Sequence, residues 1–372
     1  MTQVSRQATA PPTATPTATL TRVALNGKWL AQRRTGTQRF AEEIARRLVL
    51  DPRLDVLLCL PQDAAVPDWL PATVPVRRSR LRGVAFEQVA LPQLARGRLL
   101  VSLAGPAPVV VGHQVATFHD ATPFRFPNTY TRAFGAWHRS IYRLVSRRAR
   151  AVVTVSEFSA VELATVLHRP RELFHVVGNG SEHLSALTPM RPDSDLPQEG
   201  FVLVVGTLAL HKNLPGVLRA VADARLPTVV VGARGPARVF SGASPTVGDD
   251  DVITYAAHLT DAELAWLYRH AGALVFPSRY EGFGLPVVEA QALGCPVVAA
   301  RSSSLPEVAG QGALFVDPDR PQDVPSMVRE LIADPARRAE MVAAGSVNAA
   351  RFTWATSASR LGDVLVAVGS GR

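Results

Sequence analysis

The sequence predicts an α/β protein of doubly wound type, built twice over, from its length, its hydropathy and the alternation of short apolar runs with helical stretches. A chain of 372 residues exceeds one ordinary core and suits two domains of roughly 100–200 residues each. With 47% of residues hydrophobic and 19% charged, it has ample apolar surface to bury and falls outside the disordered class. Parallel strands require crossover connections, so short aliphatic runs separated by helix-length segments mean parallel sheet.

Along the chain, residues 1–20 are rich in Thr, Ala and Pro and read as a disordered tail, because that composition cannot bury enough surface to order itself. The alternation begins with an apolar run at 23–25, a helical stretch at 37–48 and a second run at 56–60. Further runs fall at 109–111, 115–118, 152–155, 202–205, 228–231, 273–276, 297–299 and 313–316. Between 185 and 200 the pattern lapses into Pro189, Pro192, Asp193, Asp195 and Pro197, which suits a linker. The expected division is a first domain over 21–190, a linker over 191–200, a second domain over 201–355, and a C-terminal helix over 356–372 returning to the first domain.

The first twenty residues lack a signal-type apolar core, and no later stretch reaches the length of a spanning helix, so the expected location is the cytoplasm. Cys59 and Cys295 are far apart in apolar runs, which argues against a disulfide framework or a Cys-based metal site and for a reducing compartment. Forty Lys plus Arg against thirty-one Asp plus Glu give a net charge of +9, attractive to polyanions of any kind. In the helical stretch 131–150, Phe134, Trp137, Ile141 and Leu144 follow one stripe, while Arg132, Arg139, Arg143 and Arg147 share another side. The stripe is expected in the core. The alternative is an interfacial helix on anionic lipid, with Arg139 and Arg143 at the membrane and a second basic cluster at Arg77, Arg78, Arg80 and Arg82.

The chemistry concentrates between Phe276 and Glu289. An apolar strand ends there, a loop with Gly282 and Gly284 follows, Pro286 takes a first helical position, and Gly294 closes a helix running to Leu293. A helix start behind a glycine loop offers unpaired backbone N–H groups and a positive dipole end to a phosphate group. Glu281 in the loop and Glu289 in the helix would address different hydroxyls of one extended ligand.

This stretch resembles the Glu-x7-Glu signature of retaining glycosyltransferases of the GT-B fold, glycosyltransferase family 4, in which two doubly wound Rossmann-like domains face each other across a cleft. The context over residues 22–330 agrees: Leu259 to Tyr268 with Asp261 as N-cap, Ser304 to Gly310, Thr35-Gly36, Phe86 to Gln88, Phe118-His119-Asp120, Val155 to Ser159 and Gly178 to Gly180 each resemble family landmarks. The resemblance implies that Glu289 binds the donor ribose and Glu281 the donor sugar. It places the backbone of Phe283, Gly284 and Leu285, with Gly282, on sugar and phosphate, and Gly36 on the diphosphate from the first domain. Lys212 would neutralise the leaving diphosphate and His119 would face the donor sugar. Many relatives carry Arg where this chain has Thr207 or His211, so the diphosphate either meets one fewer permanent charge or takes part of it from His211, with a pH-sensitive affinity. Asn213 is expected to cap the helix that follows, with Pro215 in its first turn.

The implied reaction needs no metal and no resident cofactor, and Asp249-Asp250-Asp251 reads as a solvated turn rather than a metal site. Glu281-Gly-Phe-Gly-Leu-Pro286 and Leu25-Asn-Gly-Lys-Trp-Leu30 resemble bacterial polysaccharide and O-antigen mannosyltransferases, which favours GDP-mannose as donor and a lipid-linked glycan as acceptor. A UDP-sugar donor and a sugar-nucleotide 2-epimerase of the same architecture are the alternatives. A nucleic-acid partner is not expected, since the basic stretches lack interleaved aromatics and no binding module is present.

Overall fold

The computed structural model describes residues 20–232, 251–256 and 259–371. The tail at 1–19 and the acids Asp249 and Asp250 lie outside these residues; Asp251 pairs with Arg225 at 3.0 Å. The first sheet contains β1 (Thr21–Asn26), β2 (Leu54–Leu60), β3 (Val76–Arg78), β4 (Leu99–Ser102), β5 (Gln114–Thr117), β6 (Ala151–Thr154) and β7 (Phe174–Val176). Its spatial order is β3-β2-β1-β4-β5-β6-β7, all parallel, with Val23 opposite Val56 on one side and Leu99 on the other. The second sheet contains β8 (Val202–Val205), β9 (Thr228–Val231), β10 (Ile253–Ala256), β11 (Ala273–Phe276), β12 (Val297–Ala300) and β13 (Leu314–Val316), in the order β10-β9-β8-β11-β12-β13. Each sheet reverses its winding beside its first strand, and in such sheets ligands bind off the carboxyl ends of the strands at that switch.

The helices that matter below are α1 (Gly36–Leu48), α2 (Arg132–Arg148), α3 (Glu157–Leu167), α4 (Leu214–Asp223), α5 (Asp261–His270), α6 (Leu285–Ala292), α7 (Leu305–Ala309), α8 (Val324–Ala333), α9 (Pro335–Ala349) and α10 (Trp354–Gly369). The last of these lies against α1 and β1 of the first sheet. It delivers Trp354, Leu361 and Leu365, all fully buried, into the same core as Phe40, Ile44 and Val153. Removing the Trp354 ring from that core would cost about 3–5 kcal/mol.

Both passages between the domains are fastened together. Glu182 accepts from the Trp354 amide at 2.5 Å, Ser181 N donates to the Phe352 carbonyl at 3.2 Å, and a Cβ on Gly180 would run into both Trp354 and Glu182. The stretch after it packs on the second domain: Met190 N reaches the Ala262 carbonyl at 3.1 Å and Leu196 is buried beside Phe201 and Tyr268.

Several local expectations are corrected. Residues 109–111 are not a strand but a turn after Pro106 and Pro108, where the Gln88 and Gln114 side chains take the backbone groups of Val109, Pro108 and Val111 in place of a ladder. The central strand in that region is β4, ten residues earlier. The cap of α5 is Thr260, which accepts from Glu263 N at 3.2 Å while Glu263 accepts from Thr260 N, so Asp261 is the first helical residue. Asn213 precedes α4 but does not cap it with its side chain, which bridges the Pro277 and Pro318 carbonyls at 3.3 and 2.8 Å. On α2 the buried face is Ile141, Val145 and Ser146, while Trp137 and Leu144 are 40% and 38% exposed; the expected stripe is split because the helix turns Tyr142 inward to stack on Phe118.

Candidate functional site

The loops at the carboxyl ends of the two sheets meet around Gly282. A Cβ on that residue would strike the His119 carbonyl oxygen and come within 2.9 Å of Asp120 Cβ, so only glycine permits the approach. Its own carbonyl accepts from two first-domain hydroxyls, Ser156 Oγ at 2.6 Å and Ser159 Oγ at 3.0 Å. Nearby, the carboxylate of Glu307 on α7 accepts from the amides of Glu157 and Phe158 at 2.9 and 3.0 Å, an acid at the positive end of α3. Arg34 and Arg39 on the first-domain side both pair with Asp261.

Gly284 adopts φ 98°, and α6 starts at Leu285 with Pro286 in its second position, one residue later than the sequence suggests; Ala292 is the last helical residue before Leu293 caps it. Among the described residues, no protein acceptor takes the amides of Phe283, Gly284 or Leu285, and Pro286 has none to offer. Gly36, at the start of α1, stands opposite: a Cβ there would sit 3.9 Å from the Leu285 side chain. Phe283 turns its own ring away, edge-on to Phe352 at 5.4 Å.

Lys212 and Glu281, distant in sequence, form an ion pair at 2.6 Å with side chains 18% and 11% exposed. The Lys212 ammonium also stands 5.5 Å from the centre of the Phe276 ring. The Glu281 backbone is pinned by the loop after β12, with its amide donating to Ser303 Oγ at 2.9 Å and its carbonyl accepting from Ser304 Oγ at 3.0 Å. Glu289 lies deeper, 7% exposed, accepting from Tyr268 Oη at 2.9 Å and facing His183 Nε2 at 3.1 Å.

His119 is part-buried, and its Nε2 lies 3.1 Å from the Leu103 carbonyl. A carbonyl only accepts, so Nε2 carries the proton and Nδ1 is left as an acceptor. Burial pushes the ring down to about 4, against that bond, so it is neutral at pH 7. His211 is 8% exposed and held below its ordinary range by burial first and by the neighbouring Lys212 charge second. Its neutral form is therefore favoured, and its Nδ1 lies 3.4 Å from Thr129 Oγ1. Thr207, part-buried, follows β8 at the same sheet end. The structure thus brings Gly36, His119, Lys212, Glu281, Gly282, Gly284 and Leu285 to one junction.

Arg139 and Arg143 are not part of it. Arg139 donates back to the Pro123 carbonyl at 3.1 Å instead of facing outward, while Arg143 is exposed over the Phe124 ring at 5.2 Å. Sequence reasoning missed His183, Tyr268, the serines at 302–304 and Tyr130. The part-buried Tyr130 phenol is raised well above its usual range by burial and then by Asp120, with Glu281 also acting on it. The one visible signal was the serine run directly after an apolar strand. Among the described residues no group of three or more His, Cys, Asp or Glu is arranged to hold a metal ion, and no helix is long and apolar enough to cross a membrane.

Comparison with known proteins places both halves. A family model described as Glycosyltransferase Family 4 matches residues 35–182, and one described as Glycosyl transferases group 1 matches residues 189–347. The chain is similar to O-antigen chain mannosyltransferase B of Escherichia coli, 29% identical over 267 residues, 64% of this chain and 66% of that one. It is also similar to a D-inositol 3-phosphate glycosyltransferase of Thermobispora bispora, 32% identical over 233 residues, 57% of this chain and 54% of that one. The matches thus span less than two thirds of either relative. Sucrose-phosphate synthase of Thermosynechococcus elongatus shares the fold at a TM-score of 0.71 and 17% identity, over 95% of this chain and all of that one.

Proposed function

Because the chain belongs to the family 4 and group 1 glycosyltransferases of the GT-B fold, we propose that it moves mannose from GDP-mannose, with retention, to a lipid-linked saccharide in bacterial polysaccharide synthesis. The observation that carries the reading is the part-buried Lys212–Glu281 pair beside three amides at the start of α6 that have no protein acceptor among the described residues. Nucleotide diphosphate oxygens would enter that corner, taking bonds from the amides of Phe283, Gly284 and Leu285 and sharing the Lys212 ammonium with Glu281. As the bond between the anomeric carbon and the phosphate oxygen breaks, charge grows on the diphosphate where fixed donors act most strongly. The acceptor oxygen bonds to the anomeric carbon on the same face and its proton passes to the departing phosphate oxygen. In this scheme Lys212 and the helix terminus take the part a divalent cation plays elsewhere. His119, neutral and held by Leu103, offers Nδ1 to a donor-sugar hydroxyl.

Mannose is favoured by the Glu281-to-Pro286 sequence and by the likeness to an O-antigen mannosyltransferase. A peripheral position on anionic lipid is supported by the outward face of α2, where Trp137 and Leu144 stand among Arg132, Arg143, Arg147 and Arg148. The test is incubation of the pure protein with GDP-mannose, other GDP-sugars and UDP-sugars, with and without excess EDTA, reading nucleotide release and sugar configuration by NMR. GDP-mannose turnover that survives EDTA is expected. Preference for a UDP-sugar, metal-reversible loss, or an epimerised nucleotide sugar of unchanged mass would each replace this reading.

A further inference from the structure

Glu289 is oriented from outside its own helix and loop. Tyr268 reaches one carboxylate oxygen from α5, and His183 reaches the other from the passage between the domains. The His183 side chain is 4% exposed, and its second ring nitrogen, Nδ1, lies 3.2 Å from Trp354 Nε1. An indole N–H can only donate, so Nδ1 accepts and the ring proton is assigned to Nε2, aimed at Glu289. Trp354 is itself fully buried and packs edge-on to Phe40 in the first domain. A continuous hydrogen-bonded path therefore runs from Trp354 in the first-domain core through His183 to a carboxylate in the second domain.

The chemistry of this arrangement is specific. Each carboxylate oxygen has two lone pairs, and here each accepts from one neutral donor, leaving one acceptor position per oxygen on a carboxylate held in a single orientation. A cis-diol presents two hydroxyl donors side by side and matches that pair. We propose that His183 and Tyr268 are positioning residues that aim Glu289 at both hydroxyls of the donor ribose, with Trp354 fixing the His183 tautomer. This rests on the reading of Glu289 as the ribose ligand. A nucleotide lacking the diol would leave buried acceptors unpaired, and sites built for a hydroxyl discriminate strongly against its absence.

The test is calorimetric titration of the full chain with GDP or UDP, whichever binds more tightly, and with its 2′,3′-dideoxy form. The wild type should prefer the ribonucleotide by on the order of tenfold or more. Glu289→Gln should erase most of that preference. His183→Leu should reduce it severalfold while leaving affinity for the dideoxy form unchanged, and Tyr268→Phe should do the same to a smaller degree. His183→Gln, which keeps an N–H near the Nε2 position, should restore it. A wild-type ratio near one, or no binding of either nucleotide, overturns the ribose reading itself. A preference abolished by Glu289→Gln yet retained in both His183→Leu and Tyr268→Phe overturns the positioning role alone. Should His183→Leu fail to fold by circular dichroism, Trp354→Phe keeps an aromatic ring without the indole donor, and an unchanged ratio there overturns the proposal equally.

Discussion

At the loop end of the segment 281–289, Glu281 shares its charge with Lys212; at the helix end, Glu289 accepts from a phenol and an imidazole, with no Lys or Arg paired to it among the described residues. The difference follows from what each end would touch. On the proposed reading Lys212 holds Glu281 towards the donor sugar and stands where the leaving diphosphate gathers negative charge, whereas no charge develops at the ribose and uncharged donors are enough to hold Glu289. If the proposed reading holds, one motif joins a site suited to chemistry to a site suited to recognition.

The sharpest break of that contrast is Lys212→Ala, expected to lower kcat about 10²–10³-fold, as loss of one donor at a developing charge does. Lys212→Arg should lose less, and turnover of the Ala variant within threefold of wild type at saturating donor would erase the distinction. Gly282→Ala comes next. Its Cβ has no room against His119, so we expect destabilisation of about 1–3 kcal/mol, read as a lower Tm, together with loss of transfer. An unchanged melt would mean the two domains do not close on this glycine in solution.

The two glutamates are then compared directly. Glu289→Ala should weaken free nucleotide binding about tenfold while Glu281→Ala leaves it within about twofold and lowers turnover instead. Equal losses of nucleotide affinity would dissolve the division of labour. A smaller effect is in pH. His119 titrates near 4 in the folded protein against an ordinary 6.5, so between those values the unfolded chain binds more protons. Stability contributed by the neutral ring is complete above pH 6.5 and falls on acidification towards pH 4, by at most about 1.4 kcal/mol per pH unit. The lowered His211 adds in the same direction, and His119→Asn should flatten the slope of Tm against pH. Smallest and farthest from the segment, Trp137→Ser with Arg143→Glu and Arg147→Glu should reduce sedimentation with anionic vesicles and leave turnover of a soluble acceptor unchanged.

The alternation of the two parallel sheets was legible because buried parallel strands are continuous aliphatic runs, as at 202–205 and 273–276. The edge strands β3, β7 and β10 were not, and the central β4, buried and aliphatic, was passed over for the turn at 109–111. β3 is Val-Arg-Arg with all three residues exposed, so its place depends on pairing with β2 rather than on its own hydropathy. The loop, glycines and helix start of the site were visible because they are local. The resemblance put Lys212 on the same donor as the loop but did not give its ion pair with Glu281, 69 residues on, and nothing linked His183 to a helix more than 100 residues away. Burial shifts such as that of His211 are equally invisible, because they depend on neighbours brought in by the fold.

The return of α10 to the first domain has a consequence for biosynthesis. Domains of a growing chain generally fold in order of emergence, at roughly 5–20 residues per second. Here the core that holds Phe40 and Val153 is closed by Trp354, Leu361 and Leu365, so the domain begun first is completed last. Until those residues leave the ribosome, for on the order of ten seconds or more at such rates, the face of β1 and α1 stands open. Expression of the first half alone would leave that face permanently exposed.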